Sequence, residues 1–264
     1  MTKIIKTSNR TEWLQQRTMG IGSSEVGTIL GLNPFETPYQ LWRRKKGMDA
    51  PKEENFAMRA GHYLEDAVSL FYRDATGVGI IKTSKGDWLA VDDERPYLRV
   101  SPDRTFWLPN HVHNNHNKGI LECKTTQLAV DEDDIPKHWF CQLQYQLGVM
   151  GFESGALAWL TQGREFGYKN IDFDPDFYAF ETEKIQEYWE RYIIGDEEPV
   201  ATDVSDVLIK FPHHVDGKVV VADNGLIDAI AELKAIKMAS KERDAKKKSL
   251  EDEIKMALGD AESL

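Results

Sequence analysis

Cysteine is scarce in this chain. Its 264 residues hold two, Cys123 and Cys141, in no CxxC or zinc-type spacing, so neither a disulfide framework nor a thiolate metal centre is expected. No apolar run reaches the roughly 20 residues that a membrane helix needs. Met1–Lys6 lacks the apolar block of a secretion signal. These absences predict a reduced, cytoplasmic chain with no membrane attachment. Positive charge is also in deficit, with 33 Lys and Arg against 44 Asp and Glu, a net charge of −11. That balance excludes broad, non-specific attraction to a polyanion and confines any phosphate contact to one groove or channel. What is present, 41% hydrophobic and 10% aromatic residues over this length, supports one sizeable core with room for an appendage.

The pattern along the chain predicts an α/β fold with a mixed central sheet flanked by helices and a C-terminal helical arm. Helix signals cover 10–17, the turns after Ser23-Ser24 (either one a natural N-cap), and Thr37-Pro38 onward to Gly47. Residues 57–76 carry a helical period with Met58, Leu64, Val68, Leu70 and Phe71 on the apolar side. Strand signals follow at 79–83, 87–91, 97–101 extended to Trp107, and 119–125. A helix is expected over 135–150 with Trp139, Phe140, Leu143, Leu147 and Met150 as its apolar face, then strands at 156–161 and 166–173. Pro175 opens a helix that ends before Gly195. The domain reading is 1–195 for the core, 196–225 for a connector and 226–264 for the arm. The arm is either two helices or one long coiled-coil segment, with heptad spacing of Leu226, Ile230 and Leu233 and a charged middle.

Ser101-Pro102-Asp103 and Glu122-Cys123-Lys124 carry the chemistry. Alternate strand residues share a face, so Glu122 and Lys124 point together, as do Ser101 and Asp103. If the two strands pair as a hairpin, Asp103, Glu122 and Lys124 converge. Two carboxylates with backbone carbonyl and water oxygens suit the octahedral shell of Mg²⁺, and Lys124 would stand beside an attacking water. An acid and a lysine two apart on a strand usually form a surface ion pair. The upstream acid and a further carboxylate on a helix, Glu65, tip the balance toward a site.

The blocks Glu12-Trp13 to Arg17, Gly20-Ile21-Gly22-Ser23-Ser24-Glu25-Val26, Gly31 to Phe35, Thr37 to Trp42, Gly61-His62-Tyr63-Leu64-Glu65, Ser101-Pro102-Asp103, Leu121 to Lys124 and Gln142-Leu143-Gln144-Tyr145 together resemble the YqaJ-type viral recombinase family. That family is lambda-exonuclease-like and lies within the PD-(D/E)xK (restriction-endonuclease-like) nuclease superfamily. Arg104 departs from the pattern, since many relatives carry Gly after the acid. The resemblance implies a Mg²⁺-dependent 5′→3′ exonuclease on linear double-stranded DNA that leaves 3′ overhangs. Mn²⁺ would substitute, with two ions per site. Glu65, Asp103, Glu122 and the backbone carbonyl of Cys123 would be metal ligands, and Lys124 the catalytic lysine. Arg17, Ser24, Ser101 and Gln142 would grip the 5′-terminal phosphate, and Arg17 has the forked guanidinium for it. The implied partners are a phage-type single-strand annealing protein and further copies of the chain in a ring, a trimer favoured. The implied setting is the cytoplasm of a bacterial host, with phage or prophage origin.

Blander roles stand beside these: Arg17 as a partner of neighbouring carboxylates, Ser24 as a cap, Gln142 on a wet helix face, and Tyr145 in packing. His111, His113 and His116 read as a solvated hairpin tip. Arg43, Arg44, Lys45 and Lys46 read equally as a solvated helix end or a DNA-backbone contact. The segment Leu32–Phe35 is a candidate wedge into a duplex end, and Asp131–Asp134 an acidic loop. Two rivals remain: a structure-specific or restriction-like endonuclease of the same superfamily, and a non-catalytic DNA-end-binding module. A Cas-type nuclease with an iron–sulfur cluster is excluded, because two cysteines cannot supply four ligands.

Overall fold

The computed structural model describes residues 2–50, 54–82, 88–108 and 117–261. It divides into two compact units, Met1–Lys210 and Phe211–Leu264. In the first, the strands are β1 (Thr2–Lys6), β2 (Ile21–Gly22), β3 (Ile80–Lys82), β4 (Trp88–Asp92), β5 (Leu98–Val100), β6 (Arg104–Trp107), β7 (Lys118–Thr126), β8 (Ser154–Thr161) and β9 (Glu165–Asp172). Among the described residues they form a four-stranded sheet in the order β1-β4-β5-β2 and a five-stranded sheet in the order β3-β6-β7-β8-β9. Strand β7 runs antiparallel to β6 and parallel to β8, which makes the larger sheet mixed.

The strand expected from 97 to Trp107 is therefore two strands, one in each sheet. The break falls at Ser101-Pro102-Asp103, where Pro102 has no N–H to give a ladder. Asp103 instead spends its side chain on the next strand: its Oδ2 accepts the Cys123 N–H at 2.9 Å. Ser101 and Asp103 sit in a crossover between sheets, not on one strand face. Strand β1 was not legible in the sequence. It pairs antiparallel with β4, from Thr2↔Asp92 to Lys6↔Trp88, and its lysines suit an edge strand.

The helices of this unit are α1 (Arg10–Thr18), α2 (Ser23–Ile29), α3 (Pro38–Lys45), α4 (Phe56–Thr76), α5 (Lys137–Met150), α6 (Pro175–Tyr188) and α7 (Val204–Lys210). Helices α4 and α5 cover opposite faces of the five-stranded sheet. Val68 and Tyr72 pack on Leu121, Cys123, Ala156 and Ala158, while Leu143 and Leu147 pack on Ile120, Leu157 and Trp159. The alternation of β7 sorts its side chains between the two layers. A third cluster joins α2, α3, α5, α6 and the smaller sheet through Ile21, Val26, Leu41, Tyr145 and Ile185.

Three helix readings are corrected. The buried stripe of α4 is Glu65, Val68, Ser69 and Tyr72, whereas Met58, Leu70 and Phe71 are exposed; the stripe that packs includes a carboxylate, so hydrophobicity alone misplaced it. The N-cap of α2 is Gly22, not Ser23 or Ser24, and its N–H is taken by the Glu25 carboxylate at 2.8 Å. Helix α5 has no wet face between Cys141 and Leu147, all buried, because it is packed from several sides. Helix α7 lies within the stretch read as a connector. Its fully buried Asp206 accepts from Thr37 Oγ1 at 2.6 Å and from the Thr202 N–H at 2.9 Å.

The second unit contains α8 (Asn224–Leu258), one unbroken helix of 35 residues, about 53 Å long at 1.5 Å per residue. Its Leu226, Ile230, Leu233, Leu250 and Ile254 are exposed. The three loop histidines, His111, His113 and His116, lie outside the described residues.

Candidate active site

The register of β6 and β7 shapes the site. Pairing runs from Trp107↔Lys118 to Arg104↔Leu121 and stops there, while β7 continues along β8 to Thr126↔Thr161. From Glu122 onward one edge of β7 has no strand beside it among the described residues. Asp103 stands at that edge and takes the Cys123 N–H. A strand residue turns its N–H and C=O to the same side, so the Cys123 carbonyl faces this edge too. Its thiol instead packs in the α4 layer.

Beside that edge lies a cavity of about 150 Å³ lined by Arg17, Ser24, Glu65, Ser101, Asp103, Glu122 and Gln142. These residues come from α1, α2, α4, the crossover, β7 and α5, so distant parts of the sequence meet here. Among the named site residues, Cys123 and Lys124 do not line it. Lys124 Nζ reaches Glu122 Oε1 at 2.9 Å and Gln142 Oε1 at 2.7 Å. Glu122 is buried and held by three donors: Lys124 and Gln142 at Oε1, and Gln146 at Oε2 at 2.9 Å. Gln142 is thus bonded to the Glu122–Lys124 pair, not set on a wet helix face.

Arg17 donates to Ser24 Oγ at 3.2 Å and lies 4.8 Å from the centre of the Trp13 ring. Ser101 Oγ donates to the Trp88 carbonyl at 3.3 Å. Behind Arg17 is the buried Glu25, bridged by Lys45 at 2.7 Å and Arg44 at 3.0 Å. Burial pushes the Glu25 carboxyl up, but Lys45, Arg44 and Arg17 together hold it below its ordinary value. Burial also pushes the Arg17 guanidinium down, against the pull of Glu25. The basic run at the end of α3 is paired throughout, at the surface for Arg43 with Asp49 and more deeply for the rest: Arg44 with Glu36 and Glu25, Lys45 with Glu25, and Lys46 with the Gly195 carbonyl. Those partners leave it poorly placed as a DNA contact.

The sequence pointed to no role for His62 or Gln146, and marked Arg104 only as a departure from the family pattern at the strand's end. His62 lines the cavity, with Nδ1 at 3.2 Å from Glu65 Oε1 and Nε2 at 3.4 Å from Glu54 Oε1. Buried Arg104 bonds both the Asp103 carbonyl and the Asp66 carboxylate, so it ties the crossover to the residue after Glu65. Tyr145 donates to the Ile21 carbonyl at 2.9 Å and accepts the Arg99 N–H at 3.0 Å, a packing role. Exposed Phe35 stands edge-on to His138. Burial, then the Lys124 ammonium, holds His138 below its ordinary value.

Among the described residues, no three His, Cys, Asp or Glu side chains are gathered into a metal cage. Glu65, Asp103 and Glu122 share a cavity without forming a tight cluster. Their chemistry nevertheless fits a hard divalent cation: carboxylate oxygens on one cavity, a backbone carbonyl facing the same edge, and no thiolate.

Residues 12–153 match the YqaJ-like viral recombinase domain. The chain is 27% identical to the uncharacterized protein YqaJ of Bacillus subtilis (strain 168), over 96% of this chain and 80% of that protein. Two crystal structures of LHK-Exo, an alkaline exonuclease from Laribacter hongkongensis, resemble it. The complex with dAMP gives a TM-score of 0.53 at 14% identity, and the other structure 0.51 at 15%, each covering 70% of this chain and 93% of that one. At such identity the likeness establishes the fold, the α/β PD-(D/E)xK architecture.

Proposed function

This chain belongs to the YqaJ-like viral recombinase domain family, and on that premise we propose that it is a Mg²⁺-dependent 5′→3′ exonuclease. Its substrate is linear double-stranded DNA with a 5′-phosphorylated end. Its product is a duplex with a 3′ overhang for recombination by strand annealing. The observation that carries the reading is the single cavity onto which Arg17, Ser24, Ser101 and Gln142 open together with Glu65, Asp103 and Glu122. Groups suited to a terminal phosphate and groups suited to a hard cation occur in one place.

Glu65, Asp103, Glu122 and the Cys123 carbonyl would hold the Mg²⁺ ions, two per site, with Mn²⁺ able to substitute. Bound there, a divalent cation supplies Lewis acidity and charge neutralisation to phosphodiester hydrolysis. Lys124 spends two of its three N–H bonds on Glu122 and Gln142 and directs the third to the attacking water. Arg17 and Ser24, already bonded to one another, present donors to the terminal phosphate, whose extra charge marks an end. Ser101 joins them beside Asp103. Gln142 acts chiefly on the Glu122–Lys124 pair. The dAMP held by LHK-Exo is the kind of product such a cavity would release.

A net charge of −11 gives little general attraction to DNA, which favours a ring-shaped homo-oligomer, a trimer, that retains its substrate by encircling it. The helical arm at 226–264 would mediate assembly or contact with a phage-type single-strand annealing protein, in the cytoplasm of a bacterial host. The test compares a linear duplex with 5′ phosphate, the same duplex with 5′ hydroxyl, and a closed circle, each in Mg²⁺ and in excess EDTA. Cleavage confined to linear DNA, faster from the phosphorylated end and abolished by EDTA, is expected. Cutting of the closed circle would make the endonuclease reading the better one, and full activity in EDTA would refute both.

A further inference from the structure

We propose that Gln146 is a positioning residue that holds the Glu122 carboxylate from behind the cavity and ties it to the first turn of α2. The inference rests on the nuclease reading above and deepens it.

Gln146 is fully buried. The cavity wall on this side is Ser23, Glu122 and Gln142, and Gln146 stands behind it. Its Nε2 donates to Glu122 Oε2 at 2.9 Å and to Ser23 Oγ at 3.1 Å, which uses both N–H bonds of the amide. Gln142, one helical turn earlier on α5, donates to the other oxygen of Glu122. Residues four apart on a helix share a face, so successive turns of α5 grip the two carboxylate oxygens one each.

The orientation of the amide has a cost. Gln146 Oε1 is buried and makes no hydrogen bond among the described residues, and an unsatisfied buried acceptor lowers stability. Turning the amide over would aim that oxygen at the Glu122 carboxylate, acceptor against acceptor. For packing alone, leucine or methionine would fill the site without the penalty. The amide does what neither can: it donates to a carboxylate while remaining neutral. A second cation in its place, added to Lys124 at the other oxygen, would over-compensate the charge that Glu122 needs for a metal ion. The bond to Ser23 matters for a second reason. Ser23 and Ser24 form the first turn of α2, and Ser24 meets Arg17, so Gln146 joins the end-gripping helix to the metal-binding carboxylate.

The experiment compares the full chain with Gln146→Leu by calorimetric titration with Mn²⁺, by thermal melting without metal, and by cleavage of linear duplex against metal concentration. Partners that orient a metal ligand typically change affinity about 10- to 100-fold. Gln146→Leu is expected to bind Mn²⁺ about ten-fold more weakly and to need correspondingly more metal for half-maximal cleavage. Its metal-free melting temperature should fall modestly with the fold retained, because the buried Glu122 Oε2 loses this donor. Unaltered Mn²⁺ affinity overturns the proposal. So does loss of the folded state in both Gln146→Leu and Gln146→Met, because the amide would then be a structural requirement. An unmutated protein that binds no Mn²⁺ and cuts nothing overturns the nuclease reading, and this inference with it.

Discussion

Two glutamates on either side of α5 are equally hidden from water and opposite in every other respect. Glu122 is met by an ammonium and two amides. Glu181, fully buried on α6, meets no ammonium or amide at either carboxyl oxygen among the described residues, only the weak thiol donor of Cys141 beside it. Burial pushes the Glu181 pKa up to about 9, and burial, with Glu181 alongside, pushes the Cys141 thiol up to about 12. One region surrounds its carboxylate with donors, and the other leaves its carboxyl to burial. Glu25 belongs with the first kind, held ionised by Lys45, Arg44 and Arg17. The contrast teaches that burial alone does not decide how a carboxyl is held here; convergent donors do.

The contrast can be broken most severely at Glu122. Every group facing it is a donor, so Glu122→Gln would set an amide N–H₂ against them and leave the Lys124 charge unmatched. Removing one partner of a buried pair costs about 3–5 kcal/mol, and chemical denaturation should read a loss of that size. Glu181→Gln should act in the opposite direction. A carboxyl whose folded pKa is raised from 4.5 to about 9 gives its full stability below pH 4.5. That contribution is lost as pH rises toward 9, up to roughly 3 kcal/mol by pH 7. The melting temperature of the unmutated protein should therefore fall across this window, and Glu181→Gln should flatten the fall. Tyr145, on α5 beside both regions, sharpens the comparison further. Tyr145→Phe removes the hydroxyl between Ile21 and Arg99 and should cost about 1–3 kcal/mol with no effect on the pH slope. The smallest effect belongs to an ion pair at the surface: Arg43→Ala loses Asp49, worth about 0–1 kcal/mol, and should leave DNA affinity unchanged.

Much of the larger sheet was legible because its strands are short β-prone runs bounded by turn residues, and helices α3, α4 and α6 were legible from their caps and periods. The break at Pro102 was missed because Leu98 to Trp107 reads as one strand-forming run, whereas β5 pairs within one sheet and β6 within the other, a change that local sequence does not carry. Glu122, Asp103 and Lys124 could be singled out because acid-any-lysine after an upstream acid is a local pattern. Gln146 could not, since a glutamine one turn after Gln142 gains meaning only from what it faces. The buried face of α4 was misplaced for a related reason. Glu65 occupies a position that hydrophobic periodicity reserves for leucine, and the cavity explains the exception. The basic run of α3 read equally as a solvated end or a DNA contact, and its partners Glu25, Glu36 and Asp49, remote or unremarkable in sequence, were not legible.

The central claim is that the Asp103, Glu122 and Lys124 constellation is a hydrolytic centre. It is tested most directly by the cleavage rate of Lys124→Ala on a 5′-phosphorylated linear duplex in Mg²⁺, with end binding measured in parallel. The expected result is a loss of roughly 10³-fold, as for removal of a group that stabilises the transition state, with end binding retained. Cleavage at the unmutated rate would contradict the assignment.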